Sequence, residues 1–493
     1  MPQAMTAPRT GQTAPQRPLP LAPAAGASAT GLPPAGSRIA RGLAAFGDWL
    51  GRHRGAIQAV QWGMIAAYIL LVAVPAFLPL PPGSAHIWSN LVLFAQFAFW
   101  GLWWPFVLLS MVLVGRSWCG IFCPEGALSE FASRRSLGRA VPRWLSWRGW
   151  PFVAFAGTTI YGQMVSVYQY PRPALLILGG STLAAIAVGL VYGRDKRVWC
   201  RYLCPVNGVF ALLAKLAPVS FQVDNAAWDA SRRAGIAPGT VSCAPLVPIR
   251  TMRGASACHM CGRCSGFRGA VQLAPRAPNH EIVAVAGERA NPWETALILF
   301  GLMGLAAGAF AWSASPWYVE AKQFLAERLI DAGVLWPLER SAPWWLLTNY
   351  PARNDTMTLL DGGMLLAYIG ATGLTIGLAG SALLALGLGA GRAWSWARFH
   401  HLAQALIPLA GAGVFLGLSA TTVSLLRGEG LDVPGLLGIR AMLLAGATLW
   451  SVWLGWRIAG GFARGARRGA VTLGVAGACG VSVLSWVMLF WVW

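Results

Sequence analysis

Nine apolar stretches separated by short polar connections organise this chain. They run roughly over 57–79, 91–114, 150–168, 173–193, 293–315, 361–390, 399–426, 436–459 and 470–493. None shows the strict alternation of a barrel strand, and about 20 apolar residues in helical form cross a bilayer. Lipid tolerates only helices and closed barrels, because every backbone polar group must be satisfied internally. The pattern predicts an all-α polytopic membrane protein with about nine transmembrane helices. The stretch at 150–168 is the least regular, since it carries Tyr161 and Gln163.

The polar segments divide the chain into four parts. Residues 1–50 are rich in Pro, Ala, Gly and Ser and hold no continuous apolar run. They predict a disordered cytoplasmic tail, not a signal peptide. A four-helix membrane block covers 51–193, a mostly polar segment covers 194–292, and a five-helix membrane block covers 293–493. The loop 316–360 is the one sizeable segment on the far side, and its Trp and Tyr residues suit a membrane interface.

Composition agrees with the pattern: 56% of residues are hydrophobic and 11% charged, against about 25% charged in soluble domains. The net charge of +21 invites a nucleic-acid partner, but its distribution removes that reading. With the N-terminus inside, seven of the 38 Lys and Arg fall in or beside the outer loops: Arg172, Lys322, Arg328, Arg340, Arg353, Arg427 and Arg440. Such asymmetry is the positive-inside signature. It predicts a multi-pass protein of the bacterial inner membrane, N-terminus cytoplasmic, with membrane lipid as its neighbour and no nucleic acid.

Candidate chemistry lies in the cysteines. Arg116-Ser-Trp118-Cys119-Gly-Ile-Phe-Cys123-Pro124 follows the second stretch, and Arg197-Val-Trp199-Cys200-Arg-Tyr-Leu-Cys204-Pro205 follows the fourth. Both read R-x-W-C-x-x-x-C-P. Each copy closes a helix pair, so a parallel repeat should set the two motifs side by side at the inner surface. Proline pushes the cysteine before it out of helical geometry and suits a first helical position. Helices are therefore predicted to start at Pro124 and Pro205, with free N–H groups turned toward an anion. Arg116, Arg197, Arg201 and Arg263 add nearby positive charge, which membrane anchoring explains equally well.

A third signal is Cys258-His-Met-Cys261-Gly-Arg-Cys264. This C-x-x-C-x-x-C run is the front of a bacterial ferredoxin pattern, without a fourth cysteine close behind. Eight cysteines, Cys119, Cys123, Cys200, Cys204, Cys243, Cys258, Cys261 and Cys264, lie on the reducing side by this orientation, where metal binding is favoured over disulfides. Two [4Fe–4S] clusters, each mixing ligands from the repeat and the loop, is the most economical arrangement. Zinc is the rival, since the C-x-x-x-C pairs fit its ligand spacing. Cys479, alone in the last stretch, reads as a packing residue. His53, His86, His259, His280, His400 and His401 form no compelling facing pair for haem b. Gln96, Gln163, Gln404, Asp361 and Arg440 could border a quinone slot, but the spacing does not assign one.

The paired C-x-x-x-C-P motifs, placed after helices two and four and followed by a ferredoxin-like segment, resemble the NapH/NosR/CcoG-type membrane iron–sulfur proteins over about 55–290. The resemblance implies cytoplasmic [4Fe–4S] clusters and electron transfer between the quinone pool, or a cytoplasmic donor, and a respiratory redox partner. It implies that Cys119, Cys123, Cys200 and Cys204 are the paired cysteines and Cys258, Cys261 and Cys264 the ferredoxin loop. Two complete C-x-x-C-x-x-C-x-x-x-C-P runs are absent, and the five-helix block lies outside the common core. An assembly or metal-reducing factor for a respiratory oxidase, or a zinc-containing membrane subunit, are the alternative functions.

Overall fold

The computed structural model describes residues 37–235, 241–288 and 291–493. Among the described residues, eight helices are long and apolar enough to cross a membrane: α2 (Arg54–Ala76), α3 (Leu91–Val114), α6 (Pro171–Tyr192), α9 (Pro292–Ala311), α11 (Leu359–Ala390), α12 (Trp396–Gly428), α13 (Leu436–Ala459) and α14 (Gly465–Val492). Between them lie α1 (Arg38–Arg52), α4 (Pro124–Ser133), α5 (Trp150–Met164), α7 (Asn207–Ala214), α8 (Asn225–Arg233) and α10 (Pro316–Asp331).

The expected span at 150–168 is the short helix α5. Its 15 residues reach about 22 Å at 1.5 Å per residue, less than a bilayer core. It nevertheless joins the two faces. Trp147, just before it, stacks edge-on against Trp293 at 4.7 Å, beside the start of α9. At its other end the Thr348 amide donates to the Met164 carbonyl at 2.9 Å, in the loop before α11. Neighbouring protein shields a short crossing of this kind from lipid.

The two membrane blocks share one apolar core. Leu108 and Met111 of α3, Leu213 of α7, Ile298 and Leu302 of α9, Leu384 of α11, Leu409 of α12, Leu454 of α13 and Val475 of α14 are all buried in it. Helix α9 is the most enclosed, with 78% of its apolar window buried against 17% for α2, so α9 is the hub and α2 a lipid-facing wall. On α11, Leu366, Leu374, Leu378 and Leu386 point outward while Leu365, Ile369, Ile376 and Leu384 point inward. Close approach of α9 and α11 depends on glycine: a Cβ on Gly304 would lie 2.7 Å from the Gly373 carbonyl oxygen. Small residues let membrane helices pack backbone to backbone in this way.

The polar segment is built on an antiparallel pair, β1 (Val219–Val223) with β2 (Val271–Pro275), in the register Phe221↔Leu273. Helix α1 packs on it, which corrects the disordered tail expected through residue 50; the rest of that expectation, 1–36, lies outside the described residues. Ser37 caps the helix by accepting from the Ala40 amide at 3.1 Å. Gly47 is pressed against Leu273, where an added Cβ would lie only 2.9 Å from the Leu273 Cβ, and Leu50 is buried. Ser265 donates to Asp48 at 2.7 Å. The apolar positions of α1 recur every three to four residues, so the absence of a continuous run did not mean disorder.

A lock of buried polar groups ties the polar segment to the five-helix block. Lys215 Nζ sits 2.5 Å from Glu294 and donates to Gln404 at 2.8 Å, while Gln404 donates to Glu294 at 3.1 Å. His401 bonds the Ile282 carbonyl at 2.8 Å and His400 bonds Thr295 at 2.9 Å.

Gly304→Ala forces the α9–α11 backbones apart and should cost roughly 1–3 kcal/mol. Gly370→Ala, where a Cβ meets nothing within 4 Å, should leave the thermal midpoint in detergent unchanged or slightly higher. Equal midpoints for the two variants would refute the tight crossing.

Candidate metal centre

Each C-x-x-x-C-P motif folds as one helical turn closed on its tryptophan. The Cys123 amide donates to the Trp118 carbonyl at 2.9 Å and the Cys204 amide to the Trp199 carbonyl at 3.0 Å. Cys123 is extended, at φ −65° and ψ 117°, and its sulfur accepts from the Gly126 amide at 3.4 Å. Pro124 then starts α4 as expected. The second copy departs: α7 starts at Asn207, not at Pro205, because Pro205 and Val206 form a turn first.

The eight cysteines sort into two quartets by segment. Cys204 has Glu125, Cys200, Cys123 and Cys119 as ionisable neighbours, and Cys123 has Cys200, Cys119 and Glu125. The four also line one cavity. In the other group Cys258 neighbours Cys264, Cys261 and Cys243, and Cys264 neighbours Cys261 and Cys243. Repeat cysteines therefore stay with repeat cysteines, and Cys243 completes the loop. The sequence pattern anticipated sites that mix the two segments; in the structure the repeat cysteines neighbour one another, and the loop cysteines neighbour one another and Cys243. Cys479 is buried alone in α14.

The two motifs clasp one another through their arginines. Arg116 of the first copy donates to Asn207 at 2.7 Å, at the start of the helix after the second motif, and to the Ser256 carbonyl at 2.9 Å. Arg197 of the second copy donates to Glu130 at 2.8 Å, on the helix after the first motif, and to the Cys119 carbonyl. Both arginines are buried, at 3% and 1% exposure, so membrane anchoring does not account for them. Arg263, from within the ferredoxin loop, donates to the other Glu130 oxygen. One carboxylate thus bridges the two cysteine groups. Burial alone would raise the Glu130 pKa, but Arg197 and Arg263 outweigh it and hold the group below the usual carboxylate range.

The loop docks closely on the repeat. Gly120 faces the His259 carbonyl with no room for a Cβ, and Gln61 donates to the Gly120 carbonyl at 3.1 Å. His259 is buried at 2% exposure. Burial first, then Arg116, Arg197 and Arg201, push its pKa well below the ordinary value, so the imidazole is neutral.

These residues fit an iron–sulfur cluster. All eight donors are thiols, and desolvation pushes those of Cys123, Cys204 and Cys258 well up and those of Cys200 and Cys264 to about 12. Such thiols ionise when a metal supplies the missing positive charge. Two buried nitrogens beside them have no partner among the described residues, Arg116 Nε and His259 Nδ1; the first is a donor and the second is one in the Nδ1–H tautomer, and cluster sulfur is an acceptor. Backbone amides at Gly126 and Met260 already point at Cys123 and Cys258 sulfurs. Among the described residues no three His, Cys, Asp or Glu side chains converge as tightly as the ligands of one metal ion. A cluster carries one thiolate per iron and sets its thiolates wider.

Comparison with known proteins matches two segments, 96–148 and 176–222, to the family described as a 4Fe-4S binding domain. The first holds Cys119 and Cys123 and the second Cys200 and Cys204, each entering from the preceding spanning helix. The repeat is a 4Fe-4S binding domain. Outside this repeat, the loop 258–264 and Cys243 lie beyond the matched segments. The chain is 24% identical over 251 residues to YccM of Escherichia coli (strain K12), whose name places it in electron transport; this covers 46% of the chain and 68% of YccM. It is 32% identical over 135 residues to Protein NirI of Paracoccus denitrificans (strain Pd 1222), covering 23% of the chain and 19% of NirI. No solved structure gives a significant match. The likeness to membrane polyferredoxins thus rests on the repeat that carries the domain.

Glu130 is the functional residue that motif reading passes over. Its signal is faint but real: an acid placed in a segment where basic residues dominate. Glu130→Ala leaves two arginines facing each other, one of them buried, and should cost roughly 3–5 kcal/mol. Because the Glu130 pKa is depressed on folding, its contribution is present at neutral pH and is lost as pH falls through the carboxylate range. Thermal midpoints of Glu130→Ala and the wild type should therefore converge in acid, and a constant gap would contradict the pairing. Ligation releases the thiol protons, so in-vitro loading of iron and sulfide should be more complete at about pH 9 than at about pH 7, followed by visible absorbance.

Proposed function

We propose that this membrane protein relays electrons through two [4Fe–4S] centres, one on the repeat quartet Cys119, Cys123, Cys200 and Cys204 and one on the loop quartet Cys243, Cys258, Cys261 and Cys264. The observation that carries this is the sorting of eight thiols into two adjoining quartets that share Arg197, which neighbours both Cys200 and Cys261. The 4Fe-4S domain over the repeat and the electron-transport name of YccM support it.

Each centre, when bound, supplies one-electron redox chemistry. The chain supplies everything else. Cys119, Cys200 and Cys258 are buried and the other five thiols partly so, which limits water around them, and Arg116, Arg197 and Arg263 set positive charge beside the thiolates, which favours electron acceptance. The repeat quartet faces the membrane interior, and the loop quartet lies with the polar β1–β2 segment. The two together form a path from the bilayer to the aqueous edge. Electrons then pass between the quinone pool, or a cytoplasmic donor, and a respiratory partner. The excess of basic residues on the cysteine side favours a cytoplasmic position for the centres in a bacterial inner membrane.

Iron and acid-labile sulfide measure the reading. Cys204→Ser and Cys261→Ser should each remove about half of both, with a different EPR signal lost in each, and the double variant should remove nearly all. Cys479→Ala should change neither. Retention of full iron in Cys204→Ser, or zinc in place of iron in the purified protein, would overturn the assignment.

A further inference from the structure

Arg440 is a charge in the membrane region that the cysteine quartets do not use. It is the fifth residue of α13, so it sits about 6 Å along the axis from that end of the helix. This end lies on the face opposite the cysteines. The connection before it carries Glu429, which accepts from the Ile87 amide at 2.7 Å in the loop between α2 and α3, whereas the first cysteine motif follows the other end of α3.

An arginine this close to a helix end ordinarily snorkels, running its stem along lipid to bring the guanidinium to water. Arg440 does not. Ile439, Met442 and Leu443 are exposed on the lipid side, while Arg440 is 8% exposed and opens the inward stripe that continues through Leu444, Ser451 and Leu454. Its guanidinium carbon lies 4.1 Å from the centre of the Phe490 ring on α14, so an aromatic face covers one side of the cation. Its Nε is shielded and has no partner among the described residues. The charged neighbour is a second cation, Arg427 near the end of α12. The two acids of the connection between α12 and α13 are engaged elsewhere: Glu429 holds His86 and the Ile87 amide, and Asp432 sits 3.6 Å from Arg427. A covered cation beside a like charge is costly without an anion, and an ionisable group within a span asks for a named partner.

The level of the site narrows that partner. Helix α13 has 24 residues and is about 36 Å long, a little more than the roughly 30 Å of a hydrocarbon core. Arg440 therefore lies where hydrocarbon gives way to headgroups. Tryptophans mark the same level, as they do at membrane–water interfaces. Trp317, at the start of α10, packs edge-on against Trp493 at 5.1 Å, and Trp317 and Trp491 are exposed. The anion that populates this level is the phosphodiester of a phospholipid. Its two free oxygens suit the paired N–H groups of a guanidinium, and stacking on Phe490 fixes the plane that presents them. Helix α14 widens into π geometry at Met488–Val492, around Phe490, and widened turns of this kind are frequent at functional sites.

We propose that Arg440, seated on Phe490 and reinforced by Arg427, binds the phosphate of a phospholipid headgroup at the ends of α12, α13 and α14. Ile439 and Leu443 flank Arg440 and are exposed, so they offer the path for the acyl chains. The site stands apart from the iron–sulfur centres, and its failure would leave their reading untouched.

The test uses the full-length protein in detergent, washed free of loosely held lipid. Native mass spectrometry counts bound phosphatidylglycerol, and a thermal scan reads its effect. At equal lipid concentration the wild type should hold one phosphatidylglycerol more than Arg440→Gln, whose affinity should fall roughly ten- to a hundredfold. Arg440→Lys keeps the charge but not the paired N–H geometry, and should fall between the two. Arg427→Gln, changed at an exposed position, should weaken the lipid severalfold without touching the buried cation. Iron and sulfide content should be unchanged in all three variants, which shows that the fold survives. Added phosphatidylglycerol should raise the wild-type thermal midpoint, and inorganic phosphate at millimolar concentration should not. Equal lipid retention by the wild type, Arg440→Gln and Arg427→Gln would overturn the site. Full stabilisation by inorganic phosphate alone would overturn the lipid as its occupant.

Discussion

The buried pairing of Arg197 with Glu130 is the constraint on which the rest of the molecule depends. Taking two charges out of water is costly, and such a pair holds only with good geometry and further hydrogen bonds. Here the second copy of the repeat supplies the cation and the first supplies the anion. Arg116 answers from the first copy to Asn207 in the second. The reciprocal clasp fixes the two motifs against each other, and Arg263 fastens the ferredoxin loop to the same carboxylate. One carboxylate thereby holds the loop cysteines in place against the repeat cysteines.

Much of this was legible from residue order. Apolar runs of bilayer length located the eight long helices to within a few residues, because lipid leaves the backbone no alternative. The R-x-W-C-x-x-x-C-P repeat placed the paired cysteines side by side. The C-x-x-C-x-x-C run marked the loop that docks on the repeat. What stayed hidden was of a different kind. The partition of thiols depends on tertiary closure of Cys243 onto a loop 15 residues later. The role of Glu130 depends on partners 67 and 133 residues away. Helix α1 hides in a sequence rich in Gly and Ala because its face is read in threes and fours.

The five-helix block, unexplained by the cysteine motifs, acquires a structural role. Its first helix, α9, is the hub of the common core, and Phe310, Val414 and Leu418 from α9 and α12 close one side of the cavity against the repeat quartet. The block thus supplies part of the wall around the space beside the thiols. Lys215, Glu294 and Gln404 hold that wall to the polar segment through a buried network, so displacement of α9 would be felt at α7, which follows the second motif directly.

The docking of α1 on β2 has a consequence for how the molecule is made. Synthesis runs from the N-terminus, so α1 leaves the ribosome more than 200 residues ahead of the strand it covers. In the interval four helices must insert. An amphipathic helix with basic residues and an unpaired apolar face rests on an anionic bilayer surface, which keeps α1 beside the site of insertion until Leu273 appears. The repeat thiols are complete at Cys204 and the loop thiols at Cys264, both before α9 is translated. Metallation of the nascent chain can therefore precede closure of the bundle, with α1 settling over the loop as a late seal.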